Sequence, residues 1–199
     1  QALLVITTGA ADQFDLTQKE LSICCGSHSG SAEHVQTVRG TLEKLDLDED
    51  VLEAGAHMPG DEDERRRIVC SDEEPLPIHN NCSGKHSGML AAARALGVDP
   101  QGYSQPDHEI QKRTLQIISD LCDIPTDEIH QGVDGCGVVT FGMRLRNAAT
   151  GFARFSTPDS LPDEYAEGAQ RLADAMAAHP VMVSGEGHFN TRLLDEHGD

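Results

Sequence analysis

Between His86 and Leu96 the chain reads His86-Ser87-Gly88-Met89-Leu90-Ala91-Ala92-Ala93-Arg94-Ala95-Leu96, and it then stops at Gly97. Alanine and leucine give this stretch high helix propensity, while glycine and serine leave almost no side-chain volume to fill a groove. Such a helix is buried only where neighbouring backbone approaches closely. A small-residue, tightly packed helix ending at Gly97, the residue that most readily takes the left-handed stop, is therefore expected.

Around this segment the apolar spacing predicts a mixed α/β chain with more helix than strand. Leu3–Ala11 reads as the tail of a helix. Thr17 is placed to cap Gln18–Cys25, and Ser31 to cap a helix through about Leu45, with Val35, Val38, Leu42 and Leu45 at helical spacing. A short helix is expected over Asp48–Ala56 and a solvated loop over Gly60–Arg67. Pro106 is expected in the first turn of a helix that runs to Cys122. Ile129–Val133 and Val138–Phe141 flank a turn at Asp134-Gly135-Cys136-Gly137 and read as extended segments. Arg144–Phe155 and Pro162–Ala177 read as amphipathic helices. With no internal repeat and no low-complexity linker, residues 1–199 are expected to form one domain. Gln1 opens directly on an apolar run, and Leu193 and Leu194 look like the start of an element that continues. A longer parent chain is therefore expected on both sides.

Charge narrows the function classes. Fifteen Lys and Arg stand against 34 Asp and Glu, a formal net charge of −19. An acidic surface repels phosphate backbones and anionic lipid, so neither nucleic acid nor a membrane surface is expected as a partner. No apolar run is long enough to span a bilayer. The cations are mostly arginine, with lysine only at positions 19, 44, 85 and 112. Abundant carboxylates with scarce lysine point to adaptation to molar salt, where self-repulsion is screened over a few ångströms.

Six cysteines, at 24, 25, 70, 82, 122 and 136, do not form the dense framework of a small secreted scaffold. A reducing, cytoplasmic compartment is expected. Cys122 and Cys70 follow apolar residues and read as buried thiols. Cys82 and Cys136 differ, because each sits in a polar, glycine-containing segment. Cys82 precedes a helix start, where free N–H groups favour a thiolate, and the glycines beside Cys136 let backbone approach a bound group. Two thiolates on sharply turned loops suit zinc, and by spacing alone His86, one turn beyond Cys82, is the candidate further ligand.

Ser27-His28-Ser29-Gly30 is a hydroxyl-rich turn feeding a helix N-terminus. It is able either to cap that helix or to present a serine to an oxyanion site, with His28 and His34 as candidate bases. Ser83-Gly84-Lys85 is not a phosphate-binding loop, because the required upstream glycine is His79 and the residue after the lysine is His86. No Ser-x-x-Lys pair occurs within the chain. A Cys82/His86 thiol hydrolase has no evident third group to orient it.

Taken together, Ser27-His28-Ser29-Gly30, the twelve residues from His79 to Leu90 and Asp134-Gly135-Cys136-Gly137 resemble, in order and spacing, the L-asparaginase II family typified by the inducible rhizobial enzyme. The resemblance spans essentially the whole chain. It implies a serine β-lactamase/glutaminase-like α/β fold and hydrolysis of L-asparagine to L-aspartate and ammonia, by two Ser-Lys pairs near a zinc ion. It implies Cys82, Lys85 and Cys136 as zinc ligands, which displaces His86 to a supporting or substrate contact, and Asp134 as an orienting or substrate-binding carboxylate. Ser27 matches the serine of the second pair. Its lysine partner would lie beyond Asp199 and the first pair before Gln1, which puts the activity of residues 1–199 alone in question. A compact polar pocket for a small charged substrate and a homodimer are also implied.

If the acidity is an adaptation to salt, the thermal midpoint should rise steadily between about 0.1 and 3 M KCl. A midpoint that does not move over that range counts against the adaptation.

Overall fold

Ser83–Leu96 form one continuous helix with the rest of the chain assembled around it, in a computed structural model that describes residues 1–197. In chain order the helices are α1 (Leu3–Thr7), α2 (Ala10–Gln13), α3 (Gln18–Ile23), α4 (Ala32–Lys44), α5 (Glu62–Ser71), α6 (Ser83–Leu96) and α7 (Glu109–Cys122). Two strands follow, β1 (His130–Val133) and β2 (Val139–Gly142), and then α8 (Leu145–Phe155), α9 (Asp163–Ala178), α10 (Pro180–Ser184) and α11 (Phe189–His197). The strands pair antiparallel with Val133 opposite Val139, and the architecture is helix-rich.

Helix α6 contacts α1, α2, α3, α4 and α7. Met89, Leu90, Ala91, Ala92 and Ala93 are all buried there. The close approach expected from its composition occurs at two glycines. A Cβ on Gly84 would lie 2.5 Å from the Ile23 carbonyl oxygen, and one on Gly88 would lie 2.8 Å from Cys24 Sγ. Fully buried side chains such as Leu90 and Ile23 each stabilise this packing by about 1.5–3 kcal/mol relative to exposure.

The capping residues act as expected. Thr17 and Ser31 each accept from the third helical N–H, and the side chains of Glu20 and His34 return the bond to the cap. Elsewhere the structure corrects the expectations. Leu3–Ala11 is two short helices, because Gly9 takes a left-handed φ of 76° between them. Over Asp48–Ala56 only Glu49–Val51 makes a single 3-10 turn. Leu52 and Ala54 are both buried, and a spacing of two reaches one face only from extended backbone.

Gly60–Arg67 is not a loop. Its residues enter α5, whose N-terminus is capped by Asp61, with Glu62, Asp63 and Glu64 in the first turn and ion pairs Arg66–Asp63 and Arg67–Glu64 along its side. Capping, dipole and local charge pairs build this helix with Ile68 as its buried apolar anchor, so no apolar stripe announces it. Cys70, expected inside, is exposed on its last turn. Pro106 precedes α7, which starts at Glu109 with His108 as its cap. Helix α6 begins at Ser83, three residues earlier than expected, and this puts Cys82 at its N-cap.

Gly84→Ala is expected to cost about 1–3 kcal/mol, because the added methyl meets α3 backbone, which has no rotamer with which to yield. Urea denaturation of the variant checks this, and an unchanged midpoint would mean that α3 is not held against α6 as described.

Candidate functional site

Three segments converge on the first turn of α6. The turn itself is set by Asn80, whose Oδ1 accepts the Cys82 N–H at 2.8 Å, whose carbonyl accepts the Ser83 N–H at 2.9 Å, and whose Nδ2 donates to the Gly55 carbonyl. Cys82 is thereby fixed at the N-cap, and Lys85 and His86 follow within the first helical turn.

The loop between α3 and α4 forms the second segment. The His28 N–H donates to the Asn81 carbonyl at 2.9 Å, and His28 Nε2 lies 3.1 Å from Ser83 Oγ and 3.4 Å from the Gly84 nitrogen. These bonds tie the loop to α6 and leave Ser27 exposed beside Cys82, with Ser27 Oγ 3.7 Å from Cys82 Sγ. His28 stacks on His34 with ring centroids 4.7 Å apart. Burial, helped by the His34 and His57 rings, lowers His28 to about 3. His34 Nδ1 accepts the Ser31 N–H, and its Nε2 meets the Val181 carbonyl. Both candidate bases are thus committed to structure, and neither bonds Ser27. The Ser83 and Gly84 N–H groups, candidate oxyanion donors, are likewise used internally.

The β1–β2 turn is the third segment. The Asp134 N–H donates to the Val138 carbonyl at 2.8 Å, and Gly137, at φ 90°, closes the turn back on the Asp134 carbonyl. Cys136 is buried by this turn and faces Cys82. The sulfurs of Cys82 and Cys136 and a carboxylate oxygen of Asp134 all lie within 4.8 Å of one another. Lys85 Nζ reaches Asp134 Oδ2 at 3.4 Å.

Electrostatics distinguish the two thiols. Cys82 is pushed up by the neighbouring Cys136 sulfur and then by burial. Cys136 is pulled down by the Cys82 thiol against its own burial, with help from His86, the Val138 N–H and Lys85, and its Sγ lies 3.6 Å from Asp134 Oδ2. Burial alone would lower Lys85, but the two sulfurs and Asp134 outweigh it and hold the ammonium charged. Two sulfurs and a carboxylate, with a cationic amine beside them, form a donor set that fits a thiophilic dication. For Lys85 to ligate such an ion it would first have to lose its proton.

Ser27, Lys85 and Asp134 line one polar end of a cleft of about 980 Å3, whose remaining walls include Ile117, Leu121, Phe141, Met143 and Phe155. The compact polar pocket expected is therefore confined to that end, because α7, β2 and α8 turn apolar side chains toward the rest. His86, expected as a supporting or substrate contact, is fully buried. The structure also brings in Tyr103, which donates or accepts at His86 Nδ1 over 2.5 Å. No motif in the sequence marks Tyr103, one of only two tyrosines in the chain, which lies in an otherwise polar segment.

The helix-rich chain thus gathers a thiol pair, an amine and a carboxylate beside an exposed serine. The family model for L-asparaginase II matches residues 1–199, and the chain belongs to that family. Membership makes it an amidohydrolase by class, with a small-molecule substrate. No curated protein matches the chain. Among the described residues no helix is long and apolar enough to cross a membrane.

His28 links this site to pH. Folded, it stays neutral down to about 3, whereas the unfolded chain protonates it at its ordinary value of 6.5. The unfolded state thus binds the extra proton, and stability should fall as pH drops from 6.5 toward 3. Urea midpoints measured across that window should slope less in His28→Gln. Equal slopes would remove His28 from the account.

Proposed function

We propose that the protein hydrolyses L-asparagine to L-aspartate and ammonia by acyl transfer at Ser27, as a single domain of the serine β-lactamase/glutaminase-like type. The observation that carries this reading is the exposed Ser27 hydroxyl at 3.7 Å from Cys82 Sγ, at the polar end of the cleft shared with Lys85 and Asp134. Family membership supplies the substrate class, and the resemblance in motifs supplies a homodimer.

Ser27 Oγ attacks the side-chain amide carbon, forming a C–O bond. Its proton passes to the departing nitrogen, so that ammonia leaves and an ester remains. Water then cleaves the ester, returning the hydroxyl and releasing aspartate. The family resemblance pairs this serine with a lysine, which would take the proton as base. Asp134, on a turn and half-exposed, is suited to meet the substrate's ammonium group, and charged Lys85 to meet its carboxylate or to ligate metal.

Cys82, Cys136 and Lys85 would hold zinc, with Asp134 within reach of the same point. Held by two thiolates and an amine, such an ion would be a weak Lewis acid and would order these residues more than activate water.

Ammonia release from L-asparagine and from L-glutamine, in high KCl with zinc, tests the reading. Asparagine is expected to be preferred, and Ser27→Ala should lower turnover by a factor on the order of 1000 or more. Preference for glutamine would make it a glutaminase of the same fold. Stoichiometric zinc with no release from either amide would reduce it to a binding module. Cys136→Ala should lose bound zinc, and Lys85→Met should release about one proton fewer than the parent on zinc binding if Lys85 is a ligand.

A further inference from the structure

Between the two segments that carry the cysteines runs Leu52–Gly55, which the hydrolytic reading does not use. At its Gly55 end it meets Asn80. That residue is 2 % exposed, and both halves of its side-chain amide are committed: Oδ1 accepts the Cys82 N–H at 2.8 Å, and Nδ2 donates to the Gly55 carbonyl at 2.5 Å. A backbone N–H can only donate and a carbonyl can only accept, so these partners admit one orientation of the amide. The Asn80 backbone is held as well. Its N–H donates to the Pro77 carbonyl at 3.0 Å, and its carbonyl accepts the Ser83 N–H at 2.9 Å.

At its Glu53 end the run meets the turn of the other cysteine. A Cβ on Gly137 would lie 3.5 Å from the Glu53 carbonyl oxygen, so the backbone beside Cys136 rests against that carbonyl. Glu53 is itself pinned by a third segment. Its N–H donates to the Tyr103 hydroxyl at 3.0 Å, and its carboxylate accepts the N–H groups of Gly102 at 2.6 Å and Ser104 at 3.1 Å. Leu52 and Ala54 are buried. The run is thus anchored independently of either cysteine, with Cys82 reached from one end through Asn80 and Cys136 from the other through Gly137.

We propose that Asn80 is a positioning residue for the two-cysteine centre: its amide fastens the Cys82 backbone to Gly55, and the Leu52–Gly55 run relates that fixed point to the turn that holds Cys136. The inference rests on the metal centre proposed above, and it adds to that centre a residue that touches neither substrate nor ion. The bond to the Cys82 N–H, taken alone, would only cap α6. The bond to Gly55 is the one that sets Cys82 relative to the second cysteine. An ion held at about 2.3 Å from each of two sulfurs tolerates little change in their separation, so the loss of that bond is read in metal affinity.

Asn80→Ser separates the two bonds. A serine hydroxyl can accept the Cys82 N–H from the same position, but it is too short to reach Gly55. Zinc dissociation constants from chelator competition should be about 10- to 100-fold weaker in both Asn80→Ser and Asn80→Ala. Hydrogen exchange at the Cys82 N–H should stay slow in Asn80→Ser and quicken in Asn80→Ala. A further readout needs no metal: the rate at which diamide joins Cys82 to Cys136 as a disulfide, the two thiol hydrogens passing to the diamide, with the pair identified by peptide mass mapping. Both variants should pair more slowly than the parent. Parental zinc affinity and pairing rate in Asn80→Ser would overturn the proposal and leave Asn80 a helix cap, even if the urea midpoint fell. A parent chain that takes up no zinc would defeat the metal centre itself, and the pairing rates would still decide the role of Asn80. If Asn80→Ala does not fold, Asn80→Ser decides it.

Discussion

The contact between Gly84 and the last turn of α3 governs the arrangement of the site. The Ile23 carbonyl occupies the space that any side chain at position 84 would need. Because the two backbones touch there, the chain leaving α3 emerges directly over the first turn of α6. Ser27 therefore comes to rest beside Cys82, and His28 reaches Ser83 and Gly84. Close packing thus does two things at once: it buries a helix that has little side-chain volume of its own, and it sets the serine loop against the cysteine.

The site joins groups whose charges depend on one another. A thiolate at Cys136 is favoured by the Cys82 thiol, by His86 and by Lys85, and the same sulfurs keep Lys85 charged. In the absence of a metal the ammonium supplies the positive charge that two sulfurs and a carboxylate require. A dication entering the centre would take over that role, and the lysine would then be free to become neutral. Zinc binding there, as proposed, would release a proton from Lys85 and from any thiol still protonated.

Much of the helical framework was legible because caps and apolar periodicity are local signals. Thr17, Ser31 and Gly97 mark helix ends through bonds made within a few residues, and the structure has those ends where they were expected. The misreadings have an equally local cause. Helix α5 is held by Asp61 and by charge pairs, which an apolar pattern does not register. The extended run at Leu52–Ala54 depends on burial of alternate residues against the core, a demand set from elsewhere in the chain. The candidate site was legible as motifs, since Ser27, Cys82, Lys85 and Cys136 each stand in short glycine- and serine-rich segments.

By itself the sequence determined the residue types of the site, the caps that frame it, the acidic surface and membership of the L-asparaginase II family. Tertiary structure alone decided which of those residues meet and in what state. Residues 55 apart, such as Ser27 and Cys82, are brought together by packing that no local pattern encodes. The same holds for His86: spacing places it one turn from Cys82, and only the fold sets the Tyr103 hydroxyl, from a separate loop, 2.5 Å from its Nδ1. Hydrogen bonds act over about 3 Å, so partners contributed by distant segments become visible only once the chain has folded.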